Sequence, residues 1–261
     1  MSDSANLVLA LAASTFRVSA PLIFAALGGF FAERSGVIDI SLEGKMLVGA
    51  FVGAVVAHTT GSAWLGACAA GFAGLLVGAF YGLFAITWRA NQIVAGTAIN
   101  MLAAGVPPFV LNILYGTPGS SPALKVEERF GDFPIWAAWV AVACVFVWLK
   151  KARSGRWVLF AGEHAEALAT AGISVIKTRW YSLLVGGFLT GLGGATLSLY
   201  LSSSYSRNMT AGRGFMALAA LILGKWRPVP AALACLLFGF ADAVQVQLQG
   251  VSLWNQVPIP V

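Results

Sequence analysis

The strip ERSGVIDISLEGKMLVG (33–49) gathers Glu33, Arg34, Asp39, Glu43 and Lys45 within thirteen residues, threaded with glycine and β-branched residues. It lies between long apolar runs. Polar groups at such positions are costly, so they either pair with one another or serve a solute path. Asn91, Gln92, Asn100, Asp242, Gln245 and Gln247 interrupt or border other apolar runs. Asp39, Ser41, Asn100, Asp242 and Gln245 are the candidates for a substrate path or gate. Their chemistry is hydrogen bonding rather than bond making. Asn91, at a boundary, suits an interfacial cap as well as a ligand contact. Asn100 suits an interhelical hydrogen bond as well as a path, and Asp242 a structural ion pair as well as a path. Arg17 either snorkels or pairs internally.

No catalytic or metal-ligating constellation accompanies these groups. Gly44-Lys45 and Gly224-Lys225 lack the upstream glycine and following hydroxyl of a phosphate loop, and no GxSxG or HExxH occurs. His58 and His164 stand far apart, while Cys68, Cys144 and Cys235 sit singly in apolar runs, as small packed hydrophobes do. The expectation is no metal, no cofactor in this chain and no enzyme activity.

The elements that must position the polar groups are membrane helices. Charged residues make up 10% of the chain and hydrophobic ones 59%, against about 25% charge in soluble domains. Trp64–Ile86 contains no charge and exceeds the roughly 20 residues that cross a bilayer. Apolar segments cover Leu7–Phe31, Met46–His58, Trp64–Ile86, Ile93–Leu114, Ile135–Leu149, Tyr181–Leu201, Phe215–Leu223 and Ala231–Val246. The start MSDSAN is acidic and polar, unlike a secretory signal, so Leu7–Phe31 is read as a retained segment. The spacings Gly49/Gly53, Gly74/Gly78/Gly82 and Gly187/Gly191 suit close helix packing. The fold expected is all-α, one polytopic transmembrane bundle over 1–261.

Met46–His58 and Phe215–Leu223 are short, and each follows a glycine-containing polar strip, RSGVIDISLEG or NMTAGRGF. This pattern points to broken or re-entrant segments that meet across an interface between halves. Lys150–Arg179 holds six basic and two acidic side chains, whereas Tyr115–Phe133 holds two basic and three acidic. The positive-inside rule makes the first cytoplasmic and the second external. Arg89 then falls on the cytoplasmic side and the N-terminus outside. The net charge of +6 accordingly reports topology rather than nucleic-acid binding. Within the loop at about 150–179, Gly162–Gly172 (GEHAEALATAG) reads as one short amphipathic helix ending at Gly172. It either lies on the membrane surface or docks a cytoplasmic partner.

ERSGVIDISLEGKMLVGAF, GEHAEALATAGI, NMTAGRGFMALAALILGKW and FGFADAVQVQLQG resemble the permease subunits of bacterial ABC importers. The resemblance is to the branched-chain amino acid, simple-sugar and nucleoside permease superfamily, nearest the nucleoside type. It implies a second permease, two cytoplasmic ATP-binding subunits holding ATP and Mg, and an external substrate-binding lipoprotein. It implies residence in the bacterial inner membrane and import of a nucleoside, a neutral ribose and base. Phe215 and Trp226 suit packing in the core as well as stacking on a base. GEHAEALATAGI would be a coupling helix, with Glu163, His164, Glu166, Ala167 and Gly172 transmitting ATPase closure. Asp39-Ile40-Ser41 stands where nucleoside-type relatives commonly carry Asn-Ile-Gly and is similar to sugar permeases, so a simple-sugar permease is the alternative. An ion-driven transporter using Asp242 as its carboxylate is a second alternative. The sequence ends at VPIPV, where such permeases continue into another span, so a final helix is expected to be missing.

Overall fold

The computed structural model describes residues 2–249; the closing VPIPV lies outside the described residues. Ten α-helices follow one another: α1 Ser2–Arg34, α2 Leu42–Thr60, α3 Ala63–Gly82, α4 Gln92–Tyr115, α5 Phe133–Lys151, α6 Arg153–Glu163, α7 Ala165–Thr170, α8 Val175–Thr196, α9 Arg213–Leu223 and α10 Pro228–Gln249. Single π-helical turns extend α3 over Leu83–Thr87 and α8 over Leu197–Leu201. No strand forms among the described residues. Among the described residues, seven helices are long and apolar enough to cross a membrane.

Their ends are set by local chemistry. Asn91 caps α4, its Oδ1 accepting from the amides of Ile93 and Val94 at 3.0 and 3.2 Å. Gly61 and Gly116, both at φ +70°, close α2 and α4 in the left-handed conformation that glycine adopts without strain. Pro107 and Pro108 lie inside α4 and Pro21 inside α1, as membrane helices tolerate.

Burial separates centre from periphery. The best spanning windows of Val175–Leu201 and Leu42–Thr60 are 72% and 67% buried, against 22% for Gln92–Tyr115 and Val126–Lys151. The central helix is α8, packed against α1, α2 and α3. Glycine makes the approach possible: a Cβ on Gly187 would stand 2.6 Å from the Gly74 carbonyl oxygen, and one on Gly191 would stand 2.3 Å from that of Ala70. Backbones in such contact gain dispersion that larger residues would forbid.

The two charged intervals occupy opposite ends. At one end Arg34 pairs with Glu163 at 3.0 Å, and Arg89 and Arg179 line a common groove. At the other, Arg17 lies 3.5 Å from Asp132 and His58 lies 3.7 Å from Glu128. There the 119–121 segment also pairs with 205–207 through backbone hydrogen bonds of 2.8–3.0 Å. This is the arrangement that charge counting predicts. Arg17 and Asp132 are more than half exposed, so their pair contributes at most about 1 kcal/mol.

Two expectations need correction. Met46–His58 is not a short or broken segment: α2 begins at Leu42 and runs 19 residues, about 28 Å. Its first turn is helical despite Glu43 and Lys45 because both charges are satisfied inside the protein. The interruption is confined to 35–41, and α9, at 11 residues and about 16 Å, is the short apolar helix. The second correction concerns the 150–179 loop, which holds two helices. Gly162 and Glu163 end α6, the backbone breaks at His164 (φ −142°, ψ 64°), and α7 starts at Ala165. Gly172, at φ +78°, does end α7, with its amide on the Ala169 carbonyl and that of Ile173 on Leu168.

Gly191→Val should cost more than about 3 kcal/mol, since the branched side chain must drive α3 and α8 apart. Gly105→Ala, where nothing stands within 4 Å of the added Cβ, should be neutral or stabilising by up to about 1 kcal/mol. Thermal unfolding of both variants in detergent checks the contrast.

Candidate functional site

The two polar strips meet, and the joint is a carboxylate. Glu43, in the first turn of α2, is 9% exposed and reaches the segment that precedes α9. Its Oε1 accepts from the Thr210 hydroxyl at 2.6 Å and the Gly212 amide at 2.8 Å, and its Oε2 from the Gly214 amide at 2.6 Å. Asn208, Ala211 and Gly212 have φ of +56°, +44° and +84°. These left-handed residues turn successive amides to one side, the concavity that binds anions. The positive end of α9 adds to the attraction. Gly214 must be glycine, because a Cβ there would stand 2.5 Å from the Glu43 backbone.

On the other side of α2, Asp39 and Lys45 form an ion pair with both side chains wholly buried. Asp39 Oδ1 also accepts from the Ser41 amide at 3.2 Å and hydroxyl at 2.6 Å. The Lys45 ammonium lies 5.2 Å from the centre of the Tyr81 ring, an added cation–π contact. The Tyr81 hydroxyl donates to the Ile38 carbonyl, and Gln92 Oε1 accepts from the Ile38 amide at 2.8 Å. Asn100 spans the break itself. Its Nδ2 donates to the Ile40 carbonyl at 2.9 Å, and its Oδ1 accepts from the Gly44 amide at 2.8 Å. That amide is one of the unpaired donors with which any helix begins.

Of the five path or gate candidates, the fold brings Asp39, Ser41 and Asn100 together at this break. Asp242 reaches the far side of the same assembly, where its Oδ2 lies 3.7 Å from Arg213 Nη2, each side chain 26% exposed. Arg213 stands between the two glycines that hold Glu43. Gln245, one turn beyond Asp242 on α10, is exposed. Phe215 is exposed on α9, whereas Trp226 donates its indole N–H to Glu33 and ties the turn after α9 to the end of α1. Tyr205, buried against Phe51 beside the 208–212 segment, has its phenol pushed up to about 12 by burial, opposed in part by Arg207. It stays neutral.

Sequence reading did not anticipate Glu43, Thr210, Arg213 or Tyr81. The readable signal was the pairing of NMTAGRGF, rich in free amides before a helix, with an acidic residue otherwise stranded in an apolar setting. Among the described residues, no three histidine, cysteine or acidic side chains gather as a metal site.

The five loop candidates occupy the basic end, opposite the 115–133 interval. Glu163 closes α6 and pairs with Arg34; His164 lies at the break, Glu166 and Ala167 on the exposed side of α7, and Gly172 just after it. Buried Leu168 holds α7 down. The junction beneath is tight: Arg179 Nε donates to the Ser35 carbonyl at 3.1 Å and Nη2 to that of Ala161 at 3.4 Å. A Cβ on Gly162 would stand 2.4 Å from the Arg34 carbonyl. α6 therefore abuts the turn that leads into Asp39.

Comparison with known proteins adds to this geometry. Residues 11–259 match the family model described as branched-chain amino acid transport system / permease component. The chain is 35% identical to the guanosine ABC transporter permease protein NupQ of Bacillus subtilis, over 98% of its own length and 88% of that protein's. It is 31% identical to the nucleoside ABC transporter permease protein NupC of Lactococcus lactis, over 94% and 86%. It is 32% identical to the putative glucose ABC transporter permease protein TsgC13 of Haloferax volcanii, over 92% and 78%. No solved structure matches the chain.

Lys45→Met leaves Asp39 buried without its partner and should destabilise by roughly 3–5 kcal/mol, whereas the double variant D39N/K45M should recover most of that loss. Glu43→Ala strands three donors and should cost at least about 2 kcal/mol. Unfolding by SDS titration in mixed micelles measures both.

Proposed function

The chain belongs to the branched-chain amino acid transport system permease family, and from that premise we propose that it is the membrane subunit of an ATP-driven nucleoside importer. As a family member with seven spanning-type helices, it is a multi-pass plasma-membrane protein and a transport component. The observation that carries the cargo is its identity of 35% and 31% to permeases named for guanosine and nucleoside transport, over nearly the whole chain.

In this reading an external binding lipoprotein delivers the nucleoside, and cytoplasmic subunits bind ATP and Mg and hydrolyse the nucleotide. A second permease completes the pathway. His164, Glu166 and Ala167 offer the exposed surface on which an ATP-binding subunit docks, and Gly172 fixes the end of that helix. Movement of α7 passes through Glu163 and Arg34, and through Arg179, to the 35–41 turn. The interruption held by Asp39, Ser41 and Asn100 is the hinge on which α2 tilts. Asp242 and Gln245, on α10, face the path. The Asp39 and Glu43 charges are consumed within the protein, which suits a neutral, polar solute that meets dipoles rather than fixed charge.

Reconstitution with its partners should give ATP-dependent uptake of labelled guanosine, competed by adenosine or uridine. Competition by glucose or ribose with none by any nucleoside would reassign the cargo to sugars. Uptake that survives ATP depletion would overturn the ATP-driven reading. Glu163→Gln should lower uptake several-fold with little change in thermal stability, because a pair this exposed contributes at most about 1 kcal/mol to folding. The swap R34E/E163R should restore part of the uptake.

A further inference from the structure

The cytoplasmic end carries a cationic and aromatic face on α6 and the start of α8; one of its grooves reaches Ala167 on α7, and the other touches none of the residues assigned to the ATP-binding subunits. One side of α6, Gly155, Val158 and Ala161, is buried, while Arg153, Arg156, Trp157 and Phe160 are exposed. Lys150 and Lys151 end α5 just before it, and Lys177 stands exposed in the first turn of α8. None of these five cations makes an ion pair among the described residues. Two grooves flank Trp157. One, of about 350 Å³, is lined by Arg153, Arg156, Phe160 and Leu168. The other, of about 410 Å³, runs between α6 and the start of α8 and is lined by Ser154, Lys177, Thr178 and Tyr181. Tyr181 lies in the second turn of α8 and is 50% exposed. The second groove therefore leads from the basic loop onto the lipid-facing side of a membrane span.

We propose that this groove binds an anionic phospholipid. Its phosphate lies among the cations around Trp157, and its acyl chains descend past Tyr181. Clustered lysine and arginine immediately cytoplasmic of a span attract anionic headgroups. Tryptophan and tyrosine at the ends of spans sit at headgroup depth. An amphipathic helix with arginine beside tryptophan and phenylalanine is the pattern that settles into an interface. A soluble acidic partner has no use for a groove that ends on a membrane span, which favours lipid over protein as the occupant. The inference is independent of the cargo and of the ATP-binding subunits.

The test uses the full chain purified alone in phosphatidylcholine-containing micelles and titrated with phosphatidylglycerol. The thermal midpoint should rise with phosphatidylglycerol. The triple variant R153Q/R156Q/K177Q should lose about tenfold or more in apparent affinity for it, with an unchanged midpoint in phosphatidylcholine alone. R153K/R156K/K177R, which keeps the charges, should respond like the unmodified chain. If the triple variant fails to fold, Lys177→Gln takes its place, with a smaller loss in the same direction. An equal phosphatidylglycerol response in the neutralised and unmodified chains would overturn the proposal. So would a neutralised variant that keeps its lipid response but no longer captures a purified ATP-binding subunit, since the face would then be a protein dock.

Discussion

A carboxylate withdrawn from water survives only if its lone pairs find donors, and Glu43 meets that condition across the molecule. Three donors from the segment before α9 converge on it, and in return it caps a helix whose own sequence supplies no capping side chain. Asn100 performs the complementary service for α2, accepting from Gly44 near its start. Two helices that begin in apolar surroundings thus have their exposed ends satisfied by residues distant in sequence. Removing either contact leaves bare backbone polar groups where no water competes, which is why the rest of the central assembly depends on them.

Around that joint the bundle is rigid on one side and adjustable on the other. α8 lies against α1, α2 and α3 with backbone nearly touching backbone, an arrangement that resists sliding because displacement drives carbonyls into neighbouring chains. The 35–41 turn has no regular structure, and its order rests on Asp39, Tyr81, Gln92 and Asn100. A buried ion pair with full hydrogen bonding is better suited to holding one geometry than to adding stability. The contact of Arg34, Gly162 and Arg179 beneath it joins that turn directly to α6.

Much of the fold was legible in the chain. A segment such as Trp64–Ile86 has one stable solution in a bilayer, because only a helix satisfies its own backbone there. The opposed charge intervals 115–133 and 150–179 give topology by the same kind of local argument. The start of α2 was not legible. Glu43 and Lys45 look like loop residues by composition, and only Thr210, the 212–214 amides and Asp39, supplied by the tertiary structure, make a helical turn affordable there. The break at His164 was likewise hidden, since GEHAEALATAG is rich in helix formers and the close approach of Gly162 to the end of α1 comes only with the fold.

What the sequence determined by itself was that the chain is a helical membrane protein, that its two charged intervals take opposite ends, and that two polar strips are exceptional. These follow from hydrophobic length and net charge, which each segment carries alone. Tertiary structure decided which charge meets which amide. Asp39 is turned inward to Lys45, Glu43 bridges the two strips, and Asp242 reaches Arg213. Pairings between residues as many as 193 positions apart depend on how helices stack. That stacking is governed by small residues and shape, and no local pattern encodes it.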